Sequence, residues 1–492
     1  MNLHRFVLAA AAAAFAGCAT LPPAEKPLAQ RDPHSAGIER TSLPDGAWPD
    51  AAWWKRYGDA QLDALIERAL IDAPSMATAQ ARLHLAERSV EAADAARGAK
   101  IDFDASVTRE KLSRYGLIPP PYGGRTLSDA EAKFGFSYDF DWWGKNRATL
   151  AAAVSEERAA QVDRAAAALV LTSAVAQQYF AWQALDARIA LARRTLDEHQ
   201  RLIRILQARV ERGLESSASV DAEKSRRDTM RQNLAALTTN QLLAREQLRA
   251  LMGAAPGELP ELKPATLPTQ EFGIPPQLGI DLISRRPDVE ASRLRIEAQT
   301  HRIESAQAEF YPDISVSAFA GLSSVLLSKF FNVHSGTLGV APAVHLPIFD
   351  AGRLRANLGV TRANLDVAIA TYNQSVVDAA SDVATQATTL AGIADQRRAA
   401  ADALQADEAV KANADLRVRQ GVADARDTIA AEITSLAQRD ALLQIDAARL
   451  QTQVALVKAL GGGWRAETGA AVTSNSNSNE PARITETASH GQ

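Results

Sequence analysis

Three glycines recur at one fixed interval. Gly144, Gly213 and Gly253 return as Gly352, Gly421 and Gly461, each 208 residues later. Arg147 and Arg355 keep the same offset, and so do Ala250-Leu251-Met252-Gly253 and Lys458-Ala459-Leu460-Gly461. Further upstream the offset is 209, matching Asp104-Ala105-Ser106-Val107 with Asp313-Ile314-Ser315-Val316. The slip falls between Phe140-Asp141-Trp142-Trp143-Gly144 and Phe349-Asp350-Ala351-Gly352. This spacing predicts two structural halves, residues 59–253 and 277–461, born of a duplication. A Pro- and Gly-rich linker, 254–276, joins them. Length alone would allow two to four domains of ~100–200 residues; the repeat reduces this to one elongated domain.

Each half has the same element order. Ser75–Ala99 and Asp288–Glu309 carry apolar residues at helical spacing, the second behind Pro287, a good first-turn residue. The period then changes to two. Phe134, Phe136, Tyr138 and Phe140 alternate with Gly135, Ser137 and Asp139, which predicts a strand with one aromatic face. Phe103–Lys111 is its partner, across a loop at 112–132. The hairpin as a whole spans 101–141. In the second half, spanning 313–349, Ile314, Val316, Ala318 and Ala320 form one strand face. Leu338, Val340, Val344, Leu346 and Ile348 form the returning one, with Pro342 and Pro347 tolerable at an edge or strand end.

A very long helix follows each hairpin. Lys145–Glu211 holds neither Pro nor Gly, and at 1.5 Å per residue it would reach about 100 Å. Arg353–Gln420 is similar, broken only by Gly359 and Gly392. Each ends at a glycine turn, near 213 and 421, and a second helix returns.

Alanine is abundant and aromatics make up only 5% of the chain, which suits slender, closely packed helices and argues against a bulky aromatic pocket. The scarce aromatics are expected near the strands. Basic and acidic residues nearly balance, 54 against 58, so the charge footprint of a nucleic-acid binder is missing. One cysteine rules out a disulfide framework and a cysteine zinc site. There is no P-loop and no His-Glu-x-x-His pattern, and the eight histidines are scattered. No metal site, cofactor or enzymatic activity is expected.

The N-terminus reads as an address. A basic start, the apolar run Phe6–Phe15 and the small residues Ala16-Gly17 predict a signal peptide over 1–17. Phe15-Ala16-Gly17-Cys18 resembles a bacterial lipobox, with Phe15 where Leu is usual. The resemblance implies a lipid on Cys18, the first mature residue, and Ala19 behind it implies the outer membrane. Residues 18–58 are expected to run extended along a surface, and 462–492 to be a disordered tail.

No other segment reads as a transmembrane helix, so a membrane crossing would need strands. Strands of ~9–12 residues suit a tilted crossing. Four of them cannot close a barrel, since bacterial barrels start at about eight strands. If the hairpins span, copies of the chain must assemble, with the long helices projecting into the periplasm; hairpins lying in a soluble sheet are the alternative.

Local motifs sharpen this. Trp53-Trp54-Lys55-Arg56-Tyr57-Gly58-Asp59, Leu282-Ile283-Ser284-Arg285-Arg286-Pro287-Asp288-Val289, Phe310-Tyr311-Pro312-Asp313-Ile314-Ser315 and Leu460-Gly461-Gly462-Gly463-Trp464 stand in this order. Together they resemble the outer membrane efflux proteins of the TolC family, in the lipoprotein branch that includes OprM and NodT. The resemblance runs from about Trp48 to Trp464. It implies a mainly α fold with membrane β: a homotrimeric 12-stranded β-barrel, four strands per chain, continuing into a long periplasmic α-helical coiled tunnel. It also implies a passive export duct for drugs or other small molecules. The partners would be a periplasmic adaptor and an inner-membrane pump, of the resistance-nodulation-division (RND) class or of the major-facilitator (MFS) or aromatic-acid class.

The same resemblance assigns adaptor contact to the two tips, at Arg212, Gly213, Leu214 and Ser217 and at Arg419, Gly421 and Val422. Turn formation alone is the competing role for the glycines. Asp427 matches an acidic periplasmic gate position, while Ala430 stands where relatives often carry Asp. A solvated helix face, or an intersubunit ion pair with Arg426 or Arg419, is the alternative for Asp427. Trp142 and Trp143 suit an interfacial girdle or packing at the junction of barrel and tunnel. Arg285-Arg286-Pro287-Asp288 reads as an ion-paired helix corner. A periplasmic adaptor lipoprotein is the rival function, but it would normally carry one helical hairpin among β-rich domains rather than two repeated units. A secreted enzyme is disfavoured by the lack of a convergent catalytic set.

Overall fold

The computed structural model of the protein describes residues 21–31, 44–275, 282 and 284–466. Cys18, the leader before it and the chain beyond 466 lie outside the described residues. In chain order the elements are α1 (Ala60–Asp72), α2 (Pro74–Ala95), β1 (Lys100–Lys111), β2 (Thr126–Phe140), α3 (Lys145–Glu211) and α4 (Ser217–Leu251). The second half follows with α5 (Pro287–Ala308), β3 (Asp313–Ser324), β4 (Gly336–His345), α6 (Arg353–Arg419) and α7 (Ala425–Ala459).

The four strands form one antiparallel sheet in the order β1-β2-β3-β4. Its register sorts side chains cleanly. Residues directly opposite share a face, so Phe103 meets Phe134, which meets Ala320, which meets Leu338. Ile101, Phe136, Ala318 and Val340 extend the same apolar face. The other face carries Asp102, Asp104, Asp129, Glu131, Lys133, Asp139, Ser315 and Ser317. One side thus suits lipid and the other water. Within the chain β1 and β4 are both open edges.

Three strand limits differ clearly from the sequence expectation. β1 starts at Lys100 rather than Phe103. β2 starts at Thr126 rather than Phe134; its first half alternates the small Ala130 and Ala132 with Asp129, Glu131 and Lys133, a weaker hydrophobic signal. β4 ends at His345, leaving Leu346 and Ile348 beyond it, because Pro347 supplies no donor for the ladder. Pro342 stays within β4, opposite Val316, on the open edge strand.

α3 and α6 are 67 residues each, about 100 Å long. Along its first part α3 packs on α5: Thr149 bonds Ser305 across 3.0 Å, Glu156 pairs with Arg302, and Asp163 with Arg295. Further along it packs on α7 and α4. Arg188 forks onto Asp440, and buried His199 meets buried Glu223 of α4 at 2.5 Å. Among the described residues α3 is the one helix long and apolar enough to cross a bilayer. Its Leu171, Val175, Ala176, Tyr179 and Phe180 are already buried within the protein.

The largest core lies midway along the helices and is aromatic. Trp53, Trp54 and Tyr57 join Tyr179, Phe180, Trp182 and Phe272, with Leu62, Ile66, Leu248, Leu450 and Val454. Tyr57 meets Phe180 edge-on at 4.8 Å. The aromatics are therefore divided between the sheet and this helical core, not gathered at the strands as expected. Asp59 caps α1 through the N–H groups of Gln61 and Leu62 and accepts the Tyr179 hydroxyl at 2.6 Å.

Of the N-terminal segment, residues 21–31 run extended along α6. Leu28 N–H donates to Asp366 and Arg31 N–H to Asn373. Nearer α1 the segment is not extended: Trp53–Tyr57 form a 3-10 turn with three buried aromatics.

Candidate functional site

Both helical hairpins reverse at residues that only a left-handed backbone can serve. α3 ends at Glu211, and Gly213 turns the chain with φ of 73°. α6 ends at Arg419, and Gly421 turns with φ of 72°. Such values favour glycine, which has no Cβ to clash with the backbone. α4 then starts behind Ser216, whose hydroxyl accepts from Ala218 N–H, and α7 behind Asp424, whose carboxylate accepts from Arg426 N–H. These are ordinary N-caps. Ser217, singled out from the sequence, is the first helical residue of α4; the cap is its neighbour.

The described fold brings the two tips together. Arg209 of α3 reaches Asp424 of the second tip at 3.3 Å. Arg426 of α7 reaches Glu215 of the first tip at 3.0 Å and its own Asp424 at 3.0 Å. Arg209 and Glu215 close the ring at 3.7 Å. The Ser219 hydroxyl, then the nearby guanidiniums, hold the Glu215 carboxyl below its usual range. For Asp424 the leading cause is the Arg426 N–H, aided by the Arg426 and Arg209 side chains. No spacing in the sequence pointed to this four-residue cluster.

Around it Arg212, Leu214, Ser217, Arg419 and Val422 are exposed. Leu214 is 61% and Val422 64% exposed, two apolar side chains displayed on a charge-locked base. Asp427 occupies the first turn of α7 and is also exposed. Arg426 does not pair with it, being committed to Asp424 and Glu215. Among the described residues Asp427 forms no ion pair within its own chain; the solvated face, the gate and an ion pair with a neighbouring copy are its readings.

At the sheet end, Trp143 stacks on Tyr311 at 4.6 Å and donates its indole N–H to the Pro312 carbonyl, while Trp142 stacks on Phe140. Both indoles stay at least half exposed. The Arg286 corner is ion-paired as its residue types suggest: buried Arg286 binds Asp288, Asp382 and the Ala459 carbonyl. Among the described residues no group of His, Cys, Asp and Glu is arranged to hold a metal ion.

The profile of the family described as outer membrane efflux protein matches residues 65–254 and 279–462. The multidrug resistance outer membrane protein MdtP of Shigella flexneri is 33% identical over 459 residues, covering 92% of this chain and 94% of that protein. The crystal structure of the outer membrane protein VceC from Vibrio cholerae superposes with a TM-score of 0.75 at 32% identity, over 85% of this chain and all of VceC. The outer-membrane channel OprN shares the fold with a TM-score of 0.79 at 23% identity, over 90% of this chain and 98% of OprN. The fold class expected from the sequence, a trimeric barrel of four strands per chain above an α-helical tunnel, is the one these channels have. Similarity across most of its length to proteins of the outer membrane locates the chain there too. The chain belongs to the outer membrane efflux protein family.

Proposed function

We propose that three copies close their four-stranded sheets into a 12-stranded barrel and form a passive export duct, the outer membrane component of a tripartite efflux pump. The observation that carries this reading is the sheet itself. It has one apolar face, one polar face and two open edges, β1 and β4. An open edge in lipid leaves backbone groups unpaired. Pairing β1 of one chain with β4 of the next removes every edge at once.

The duct is not an enzyme. A periplasmic adaptor docks at the tips through Leu214 and Val422, flanked by Arg212, Gly213, Ser217, Arg419 and Gly421. An inner-membrane pump of the RND, MFS or aromatic-acid class supplies the energy. The word multidrug in the name of the MdtP relatives supports drugs among the cargo. Asp427 lines the periplasmic gate, and a lipid on Cys18 adds an anchor to the outer membrane. Deleting the gene should raise drug susceptibility, and an outer-membrane fraction should show a trimer band that heating converts to monomer. A monomer at every temperature, or an unchanged susceptibility profile, overturns the reading.

A further inference from the structure

The sheet register puts an unpaired cationic cluster on the membrane side of the outer rim. Ile101, Phe103, Ala105 and Val107 occupy the apolar face of β1. The same alternation continues to Arg109, opposite Ser128, and Lys111, opposite Thr126. Both therefore leave the sheet on its lipid side. Glu110, between them, leaves on the polar side. These positions lie at the end of β1 remote from the helices, just before the 112–125 loop. That loop is ordered by its own backbone: Leu112 N–H donates to the Arg125 carbonyl and Gly124 N–H to the Leu112 carbonyl. Pairing with Leu112 puts Arg125 on the polar side with Glu110, while Arg114 follows in the loop, beside fully exposed Tyr115 and Leu117.

Many cations on the helices are paired, though Arg82, Arg158 and Arg204, among others of the described residues, are not. Arg88, Arg293 and Arg302 each sit against a carboxylate. Among the described residues Arg109, Lys111 and Arg114 have no ion pair. No Asp or Glu occurs between Leu112 and Ser128. Nor does closure of the barrel supply one. The strand that would pair with β1 is β4 of the next chain, and from Ile314 to Phe349 the sequence contains no carboxylate. Arg109 and Lys111 therefore face outward at the level where an apolar strand surface ends and head groups begin, with Arg114 in the loop just beyond them. Anionic head groups attract such juxtamembrane cations, and phosphate oxygens are strong acceptors for guanidinium and ammonium donors.

We propose that Arg109 and Lys111, with Arg114 of the adjoining loop, form a binding site for the phosphate groups of the glycolipid in the outer leaflet of the membrane, with Ala105 and Val107 of β1 lying along its acyl chains. This rests on the barrel reading above, which fixes the rim as external and β4 of the next chain as the neighbour of β1. The site would seat the barrel at a fixed depth at its outer end, opposite the Trp142–Trp143 end.

The test uses the full-length protein purified in detergent and native mass spectrometry. Three probes are added separately: a diphosphorylated glucosamine lipid, the same lipid stripped of phosphate, and phosphatidylglycerol. The wild type should retain the diphosphorylated lipid far better than either other probe. Retention should fall about tenfold or more in R109Q/K111Q, and similarly in R109Q/R114Q. Both variants should keep the heat-sensitive trimer band and single-channel conductance. Equal retention of phosphorylated and stripped lipid overturns the proposal, as does undiminished retention by both trimeric variants. Phosphatidylglycerol retained as well as the glycolipid overturns the assignment to that leaflet. A wild-type protein that forms no trimer overturns the barrel reading instead, and the site with it.

Discussion

Glu432 of α7 lies 2.9 Å from Arg194 of α3, in a site where its own side chain is 8% exposed. Lys411 of α6 takes its second carboxylate oxygen. One buried acid thereby ties three long helices together above the tips. Burial alone would raise the Glu432 carboxyl, but Lys411, Arg194 and Arg439 outweigh it and hold the group below its usual value of 4.5. A carboxyl lowered by folding contributes stability that is fully present above its unfolded pKa and lost as pH falls through the folded one. The protein should therefore lose helical stability as pH drops below about 4.5. Glu432→Gln should cost about 1–3 kcal/mol at neutral pH and flatten that acid limb. Thermal unfolding of the purified trimer between pH 3 and 7 checks both; parallel curves for wild type and variant would remove Glu432 from the acid response.

Gly463 separates a packing requirement from a turn requirement. It has φ of 80°, and a Cβ there would stand 2.1 Å from the Asp50 carbonyl carbon, which leaves no side chain to yield. Gly463→Ala should cost about 2–5 kcal/mol, combining left-handed strain with overpacking. Gly213 has a similar φ but nothing within 4 Å of its Cβ direction. Gly213→Ala should cost only about 1–2 kcal/mol. The difference in melting temperature of the two trimers measures this; equal losses would mean that the contact with Asp50 is not a constraint.

Much of this architecture is legible in the chain because its signals are periodic. Alternation at Phe134–Phe140 marks a strand face, and the Pro- and Gly-free stretch of α3 marks a helix that nothing interrupts. What stays hidden is aperiodic or distant. Trp53–Tyr57 form a five-residue turn, too short to show a period, so their place in the main core does not emerge from spacing. Arg209 and Asp424 are 215 residues apart in sequence and meet only because α3 packs along α7. Even the repeat, which aligns Gly213 with Gly421, says nothing about which charges cross between the tips. The start of β2 is blurred because its polar face is charged while its apolar face is only alanine.

Leu214 and Val422 are expected to act by contact rather than by stabilising the tips. Each is more than half exposed, while the Arg209–Asp424 and Arg426–Glu215 pairs hold the turns in place. Leu214→Asp or Val422→Asp should therefore leave the trimer band intact. A charge set into an apolar contact is expensive to desolvate, so affinity for the adaptor should fall about tenfold or more. Drug susceptibility should then approach that of the deletion strain. Wild-type efflux from either variant sinks the contact role of that residue.

Asp427 and the barrel wall make different demands on ions. The polar sheet face bears Asp102, Asp104, Asp129, Glu131 and Asp139 against Lys100 and Lys133, and in the proposed barrel these would line a water-filled bore with excess acidic charge. At physiological salt, charges there are screened beyond about 8 Å, so no single one dominates. If the tips close as the proposed gate requires, three symmetry-related Asp427 carboxylates would stand close enough to act on one ion. Asp427→Asn should lower cation preference and divalent block in planar-bilayer recordings by severalfold. Asp102→Asn with Asp104→Asn should change them less. If Asp427→Asn conducts with wild-type selectivity and block while the barrel variant does not, the controlling charges lie in the sheet lumen and Asp427 belongs to a solvated helix face.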